Sequence, residues 1–575
     1  MDSSAYATLP RVVLENGSGY VKIGMAGNKK PPHVIPNCVG QPKKKASSHY
    51  TESHSSAIAD QKDRSESHST SESSSFISDS CYTLIEYFCN RPQINSLVCD
   101  PDRQRMVWDK YIGRSHLTKK DGIIFPGNYL SVIPESSSIC LTEANLCPAQ
   151  SRQLSAEIIF EDFGFPLACF LSSQTASSYF YQNYTPSRAK SDPVLYSYPD
   201  STISTSRYSP INSHSGRKEL DQRNSSKEMN LTGCLVVDCG FGSTHSVPFV
   251  NGIPIQNASL RTNSGGSQSM RSVNLEFNEL VVQHMKEESC YVSLDFDLEL
   301  KAAKRLIKLY GTHLLAHQYI LPIYTSKSKT LMSKHFTNYR KTTPPLLNEN
   351  NEDLIKALVS GEISDIKQLE PTNALSETNR VSNTHSSITH DATNDDDTDE
   401  VKDSLGEMND INAEEYERDV DETQFVELFA ERFSVPEIIF NPQDIKLNDC
   451  GIVELAYRSI SLCPPIVQPL LASNIFICGG TTKFPGFIKR FYKDLRPMIP
   501  QEWDIRIYST DDPMLASFYG ARMWTNNDSM FLSNAITRSE YFENGASVIK
   551  IKEQPKRGND FNLLKMEQNG FSYPR

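Results

Sequence analysis

The sequence lacks any apolar run near the roughly 18 residues that a membrane-spanning helix requires. Its N-terminus also lacks the charged start and apolar stretch of a secretory signal peptide. We therefore expect no membrane span, no secretion, and a location in the nucleus or cytoplasm.

Cysteine pairs with zinc-ligand spacing are missing too. The thirteen cysteines include no Cys-x-x-Cys pair, and no His, Cys and Asp grouping has metal-ligand spacing. This pattern argues against a zinc ribbon and against a disulfide framework, so we predict reduced, mainly packed thiols and no side-chain metal site.

The sequence also has no excess of basic residues, which argues against a basic nucleic-acid-binding protein. The 58 Lys and Arg residues against 70 Asp and Glu residues give a net charge of −12. Residues 391–422 alone carry −13, from fifteen acidic residues against Lys402 and Arg418, which leaves the rest of the chain near neutral.

Three segments have compositions that cannot bury enough apolar surface to offset a chain entropy of about 1–2 kcal/mol per residue. Residues 46–80 contain fourteen Ser, residues 187–230 mix Ser, Arg, Lys, Asn and Pro, and residues 372–424 run from Asn, Ser and Thr into the acidic stretch. We predict that all three are disordered insertions.

The remaining sequence alternates strand and helix patterns, which indicates an α/β protein. Residues 11–27 predict a hairpin turning at Asn16-Gly17-Ser18-Gly19, and residues 235–248 repeat the strand, glycine turn and strand. Helices are predicted from Pro148 to near Pro166 and from Ser172 to Tyr181. A third glycine turn follows the apolar strand 475–477. The repeated hairpin suggests two lobes that are built alike.

Glycine turns let successive backbone amides approach a phosphate closely. One hairpin carries Ser18 and Lys22, which can donate to phosphate, and the other carries Asp238, which could hold a hydrated cation. Plain turn chemistry explains any single copy equally simply. A Walker-type loop is absent and Gly17-Ser18-Gly19 lacks the third glycine of the dinucleotide fingerprint, so two facing hairpins remain the candidate clamp for a nucleotide.

Seven segments resemble, in order, the signatures of actin and the actin-related proteins: LENGSGYVKIGMAG, LTEANLCP, VVDCGFGSTHSVP, KEESCYVSLDF, ERFSVPEIIFNP, CGGTTKFPG and SEYFENGASVIK. The resemblance implies the two-lobed actin fold, in which duplicated ribonuclease H-like domains flank a central nucleotide cleft. It places the first lobe at 11–186 with 517–552 returning to it, the second lobe at 231–516, and a C-terminal extension at 553–575.

The resemblance also implies a site for ATP with magnesium, held structurally. The implied binding residues are Gly17, Ser18, Gly19 and Lys22 in the first phosphate loop, Asp238, Gly240 and Gly242 in the second, Lys286 and Glu287 beside the ribose and base, and Gly479, Gly480 and Thr481 in the adenosine loop. Gln174 matches the glutamine that orients attacking water in actin; a plain helix-surface or cleft glutamine is the alternative.

Four positions depart from actin: Glu15 and Phe241 replace acids, Phe484 replaces a tyrosine, and Met514 replaces a basic residue. An aromatic ring at 241 cannot accept hydrogen bonds from metal-bound or attacking water, and removing one such preorganised group typically costs about 100- to 1000-fold in rate. We therefore predict no catalytic residues and no enzyme; an empty cleft in a retained fold is the alternative to nucleotide binding.

Within the family, residues 34–37, 318–329 and 429–445 are most similar to the nuclear branch found in Swr-type chromatin remodelling complexes. This implies a non-polymerising scaffold that contacts the remodeller motor subunit and a small zinc-finger subunit, with no membrane or sequence-specific nucleic-acid binding. The acidic segment could engage histones, although a solvated insertion is the simpler explanation. The alternatives are an active actin-like ATPase and a cytoskeletal actin-related protein.

Overall fold

The computed structural model describes a well-defined part of the chain and divides it into two compact units. The described residues are 6–42, 76–78, 81, 87–112, 130, 132–184, 195–198, 232–267, 279–311, 317–321, 345–348, 350–362, 425–545 and 547–549. One unit is Met1–Leu294 with Glu431–Arg575, and the other is Asp295–Ala430.

The first sheet of the larger unit has six strands. Their order is Ile536–Thr537, Leu167–Ser172, Ser138–Glu143, Arg11–Asn16, Tyr20–Met25 and His33–Pro36. Arg11–Asn16 pairs antiparallel with Tyr20–Met25 and parallel with Ser138–Glu143. Its Val12, Val13 and Leu14 are fully buried β-formers, so the hairpin predicted at residues 11–27 is confirmed.

The second sheet repeats this arrangement. Gly233–Cys239 pairs antiparallel with Thr244–Val250 and parallel with Ile475–Cys478, which confirms the second predicted hairpin. The order is Leu195–Tyr198, Ile507–Thr510, Ile475–Cys478, Gly233–Cys239, Thr244–Val250 and Ile253–Pro254, with Leu260–Thr262 also on Thr244–Val250. The first sheet therefore presents one glycine turn at the end of a central strand, and the second sheet presents two, after Gly233–Cys239 and after Ile475–Cys478.

Helices of the larger unit cover these sheets. They are Pro101–Ile112, Ala149–Glu157 continued by a π-helix at Ile158–Asp162, Ser173–Asn183, Glu279–Ser289, Glu431–Phe440, Ile452–Ser461, Gln468–Ala472, Phe487–Leu495, Ala516–Asn526, Asp528–Asn534 and Arg538–Asn544. The helices predicted at 148–166 and 172–181 are thus present. Ser173–Asn183 packs against Ala516–Asn526, where Gly520 allows the backbone at Ala176 to approach closely. In the described part of the chain, no helix is long and apolar enough to span a bilayer.

Two short β-structures precede the helix Pro101–Ile112. Val39–Pro42 lies between Phe76–Ile77 and Tyr87–Asn90, and Gln93–Ile94 forms a small hairpin with Leu97–Val98. The hairpin turn at Asn95 and Ser96 has positive φ at both residues, 49° and 59°.

The smaller unit contains the helices Phe296–Tyr310 and Glu352–Ser360, which pack together, and the antiparallel strands His317–Ile320 and Phe425–Leu428. Asp295 caps the first helix by accepting a hydrogen bond from the Leu298 amide at 3.1 Å. Buried Glu299 accepts one from the Leu347 amide at 3.1 Å.

Two of the predicted disordered segments contain a short strand each, and the rest of both segments lies outside the described residues. Within 46–80, Phe76–Ile77 is a strand and buried Ser78 donates to the Pro36 carbonyl at 2.5 Å. Within 187–230, Leu195–Tyr198 pairs antiparallel with Ile507–Thr510. A short strand can be completed by backbone hydrogen bonds to a distant partner, which average composition does not register. The segments 372–424 and 553–575 lie outside the described residues.

Candidate functional site

A cavity of about 470 Å³ lies within the larger unit, a volume typical of small-molecule sites. Eleven of the twelve predicted binding residues line it: Gly17, Ser18, Gly19, Lys22, Asp238, Gly240, Lys286, Glu287, Gly479, Gly480 and Thr481. The departures Glu15, Phe241, Phe484 and Met514 line it as well. Residues far apart in sequence therefore meet where the resemblance places a nucleotide.

The first glycine turn, residues 17–19, is held by its own hairpin. A Cβ on Gly17 would lie 2.5 Å from the Tyr20 carbonyl oxygen, so only glycine fits there. Lys22 Nζ lies 2.5 Å from Glu15 Oε1, and both side chains are buried. Burial raises the pKa of Glu15, while the Lys22 ammonium opposes that rise. Lys22 is therefore paired with a carboxylate on the cavity wall.

The second glycine turn, residues 240–243, is tied to the adenosine loop at 479–481. The Gly240 carbonyl accepts from Thr481 Oγ1 at 2.9 Å and from the Gly266 amide at 3.1 Å. Gly479 has φ of +99°, and a Cβ there would collide with the backbone at Cys239. The strand ends of one sheet thus form a continuous backbone wall.

Gln174 is a buried residue of the cavity wall, so it is not a helix-surface glutamine. Its Nε2 donates to Asp238 Oδ2 at 2.6 Å, and its Oε1 accepts from the Asn145 amide at 2.8 Å. Burial raises the pKa of Asp238, and the hydrogen bond from Gln174 opposes the rise. Asp238 therefore already has a donor on one oxygen.

The two glycine turns contact one another directly. Gly242 does not line the cavity; a Cβ there would lie 2.7 Å from both Ser18 Oγ and the Ser96 amide nitrogen. A Cβ on Gly19 would lie 2.9 Å from Phe241 Cβ. Gly242 thus serves close packing of the turns rather than the cavity surface.

Several site residues were not predicted from the sequence. Ser96 Oγ lies 2.7 Å from Ser243 Oγ, and Ser18 Oγ donates to Gln93 Oε1 at 3.0 Å, so the hairpin at 93–98 bridges both turns. Nothing in the local sequence around Gln93 signals this placement.

His245, which the sequence analysis does not single out, also lines the cavity. Its Nε2 is buried, and like Asn16 Oδ1 on the same wall it has no hydrogen-bond partner among the described residues. Burial lowers the pKa of His245 to about 3, and the Arg261 charge adds to that effect. The imidazole is therefore neutral near pH 7. Its position seven residues after Asp238, at the start of the return strand, was the available signal.

The helix Glu279–Ser289 forms the side of the cavity where the resemblance places the ribose and base, called here the base side. Lys286 Nζ donates to the Gly266 carbonyl at 2.9 Å, and burial lowers the pKa of this ammonium. Glu287 accepts from Gln283 Nε2 at 2.8 Å and from the Tyr20 hydroxyl at 3.5 Å. These contacts fix the helix relative to the first hairpin.

The residues present fit a nucleotide better than they fit a magnesium ion. The glycine turns and Lys22 offer a phosphate cradle, and the unpaired polar atoms of Asn16 and His245 remain for a ligand. However, Glu15 and Asp238 already have donors, and Phe241 occupies the position of the second acid. In the described ranges, no group of three or more His, Cys, Asp or Glu side chains converges as a metal site.

Comparison with known proteins agrees with this architecture. The actin family model matches residues 7–277 and 267–554. Actin-related protein 6 of Arabidopsis thaliana is 27% identical over 547 residues, covering 93% of this chain and 97% of that protein. The protein of the same name from Oryza sativa subsp. indica is 26% identical over 544 residues, covering 93% and 96%. Actin-related protein 6 of Dictyostelium discoideum is 28% identical over 322 residues, covering 54% and 59%. This chain therefore belongs to the actin family, as an actin-related protein with the two-lobed α/β actin fold.

Proposed function

We propose that this protein is a non-polymerising scaffold subunit of a nuclear, Swr-type chromatin remodelling complex that exchanges a variant histone into nucleosomes. The observation that carries the proposal is the similarity, over 93% of the chain, to proteins named actin-related protein 6. Two features of the sequence support a protein that does not form filaments. The stretch between Gly266 and Lys286 is shorter than the corresponding stretch of actin, and a Ser-rich segment before Cys81 replaces the loop with which actin grips its filament neighbour.

The partners in this proposal are the remodeller motor subunit and a small zinc-finger subunit, with histones engaged through the acidic segment. Purification of the tagged protein from nuclear extract, followed by identification of bound proteins, tests this assignment. We expect the motor subunit to remain bound to the tagged protein when the complex is washed with high salt. Recovery of cytoskeletal proteins without a remodeller motor would overturn the assignment.

The cavity has the role of a structural nucleotide site in this proposal, not of an ATPase centre. A nucleotide bound only by the folded state stabilises it by about 2.7 kcal/mol at a concentration of one hundred times Kd. Phe241 is the feature that separates this function from an active actin-like ATPase, because its ring cannot hold water for attack.

Thermal melting with and without ATP tests the structural role. We expect the melting temperature to rise with ATP concentration, and expect Gly479→Val, which fills the wall at a positive-φ glycine, to abolish the rise. Gly27→Ala is the matched control, since a Cβ at Gly27 meets nothing within 4 Å. A melting temperature that is independent of ATP in the wild type would favour an empty cleft.

A further inference from the structure

Arg91 is a cation with a largely buried side chain that lies outside the cavity and contacts both glycine turns and the helix Glu279–Ser289. Its guanidinium donates to the Ser18 carbonyl at 3.3 Å and the Gly19 carbonyl at 3.1 Å, both in the first turn. It donates to Glu279 at 2.6 Å and Gln283 at 2.7 Å on the helix of the base side. Its Cζ also lies 4.4 Å from the centroid of the Phe241 ring in the second turn.

These contacts orient the backbone of the first turn. In a trans peptide the C=O and the following N–H point in opposite directions. Arg91 donates to the Ser18 carbonyl and does not line the cavity, so the Gly19 amide of the same peptide points away from Arg91, and Gly19 itself lines the cavity. Donation from a cation to the carbonyl also polarises that peptide, which strengthens its N–H as a donor to an anion.

Phe241 of the second turn, which stands where the resemblance places an acid, packs against two cations; one of them, Arg91, is paired with Glu279. Phe241 has Arg91 against its face at 4.4 Å and Lys286 Nζ at 5.6 Å from its centroid. The two remaining acids hold protein donors instead, Glu15 with Lys22 at 2.5 Å and Asp238 with Gln174 at 2.6 Å. Both acids that could hold a divalent cation are therefore already hydrogen-bonded to protein donors, and an aromatic ring stands at the third position, which disfavours a hydrated divalent cation.

We infer that the cavity binds the polyphosphate of a nucleotide without a divalent cation, and that Arg91 is the positioning residue that joins the two phosphate loops from outside the cavity. This rests on the proposed structural nucleotide site and names the ionic form of its ligand. The guanidinium fork suits the role because five donors in one plane can serve two carbonyls and two side chains at once, which an ammonium cannot.

The experiment measures the Kd of ATP and, separately, of ADP for the purified full-length protein by calorimetry, in excess magnesium and in excess EDTA. We expect the two Kd values for each nucleotide to agree within about tenfold, the factor that corresponds to 1.4 kcal/mol. Affinity that falls by more than this in EDTA would overturn the inference while leaving the proposed nucleotide site intact. An absence of binding in both conditions would overturn both.

Variants at Arg91 separate positioning from plain stability. We expect Arg91→Gln to weaken nucleotide affinity by about tenfold or more, since hydrogen bonds to charged groups contribute roughly 1.5–3 kcal/mol. We also expect the loss to be larger in EDTA than in magnesium, because the variant gains a need for an external cation. Arg91→Lys should retain charge but recover only part of the affinity.

Arg11→Gln provides the matched control. Arg11 is equally buried and paired, with Asp528 and the Thr525 carbonyl, but it does not line or border the cavity. We expect Arg11→Gln to lower the melting temperature without changing the ratio of Kd values in EDTA and magnesium. An Arg91→Gln variant that behaves like this control would overturn the role of Arg91.

Discussion

The contact between the two glycine turns can be tested by adding one methyl group at Gly242. A Cβ there would lie 2.7 Å from Ser18 Oγ, 2.7 Å from the Ser96 amide nitrogen and 2.9 Å from Ser96 Oγ. The serine hydroxyls can rotate away, but the Ser96 nitrogen belongs to a backbone held by the hairpin pairing of residues 93–98. Overpacking of this kind costs about 1–3 kcal/mol.

The magnitude converts into a melting shift. In domains of 150–250 residues, a loss of 1 kcal/mol lowers Tm by about 2–4 °C. We therefore expect the Tm of Gly242→Ala to lie roughly 2–12 °C below that of the wild type, nearer the smaller shift in a unit of this size. Nucleotide affinity should fall as well, because the turns separate. Differential scanning fluorimetry of Gly242→Ala beside Gly27→Ala, where a Cβ meets nothing within 4 Å, makes the comparison. If both variants melt within about a degree of the wild type, the described contact between the two glycine turns is wrong.

Two further predictions concern buried charge. Lys22→Met should lower the free energy of unfolding by about 3–5 kcal/mol near pH 7, because buried Glu15 loses its counter-charge. The double variant Glu15→Gln with Lys22→Met should recover part of this loss. An equal loss in the double variant would contradict the pairing. In the folded protein His245 stays neutral, with a pKa of about 3, whereas in the unfolded chain it takes up a proton below about pH 6.5. The contribution of His245 to the free energy of unfolding is therefore full above pH 6.5 and declines as the pH falls toward 3. From neutral pH to pH 5.5 the wild type should lose about 1 kcal/mol of its free energy of unfolding relative to His245→Asn in urea titrations, and parallel pH profiles would show that His245 is solvated.

The hairpins and the glycine positions were predictable because local chemistry specifies them. Val12, Val13 and Leu14 are β-formers whose side chains point to alternate faces of a strand that is buried on both sides. Gly17 fits a turn that only glycine can form. The same logic located Asp238 and Gly479 at strand ends, where backbone geometry is set within a few residues. The resemblance then brought the loops together, and the cavity lining agrees for eleven of the twelve residues.

The remaining features depend on contacts between distant parts of the chain. Arg91 reaches Glu279 from 188 residues away, and Ser96 reaches Ser243 from 147 residues away, so no local pattern could indicate either pair. The strand Leu195–Tyr198 exists through pairing with Ile507–Thr510, more than 300 residues later, inside a segment whose composition indicates disorder. The resemblance assigns Gly242 to the nucleotide site, whereas in the structure this glycine lies outside the cavity lining and allows two turns to pack.

Phosphate release tests the central claim, that this actin-fold protein holds nucleotide without turning it over. Purified full-length protein is incubated with ATP, and free phosphate is measured over time beside the nucleotide that remains bound. We expect bound adenine nucleotide with no phosphate release above a protein-free blank, because Phe241 stands where an acid would orient water. Sustained, protein-dependent release at an actin-like rate would contradict the claim.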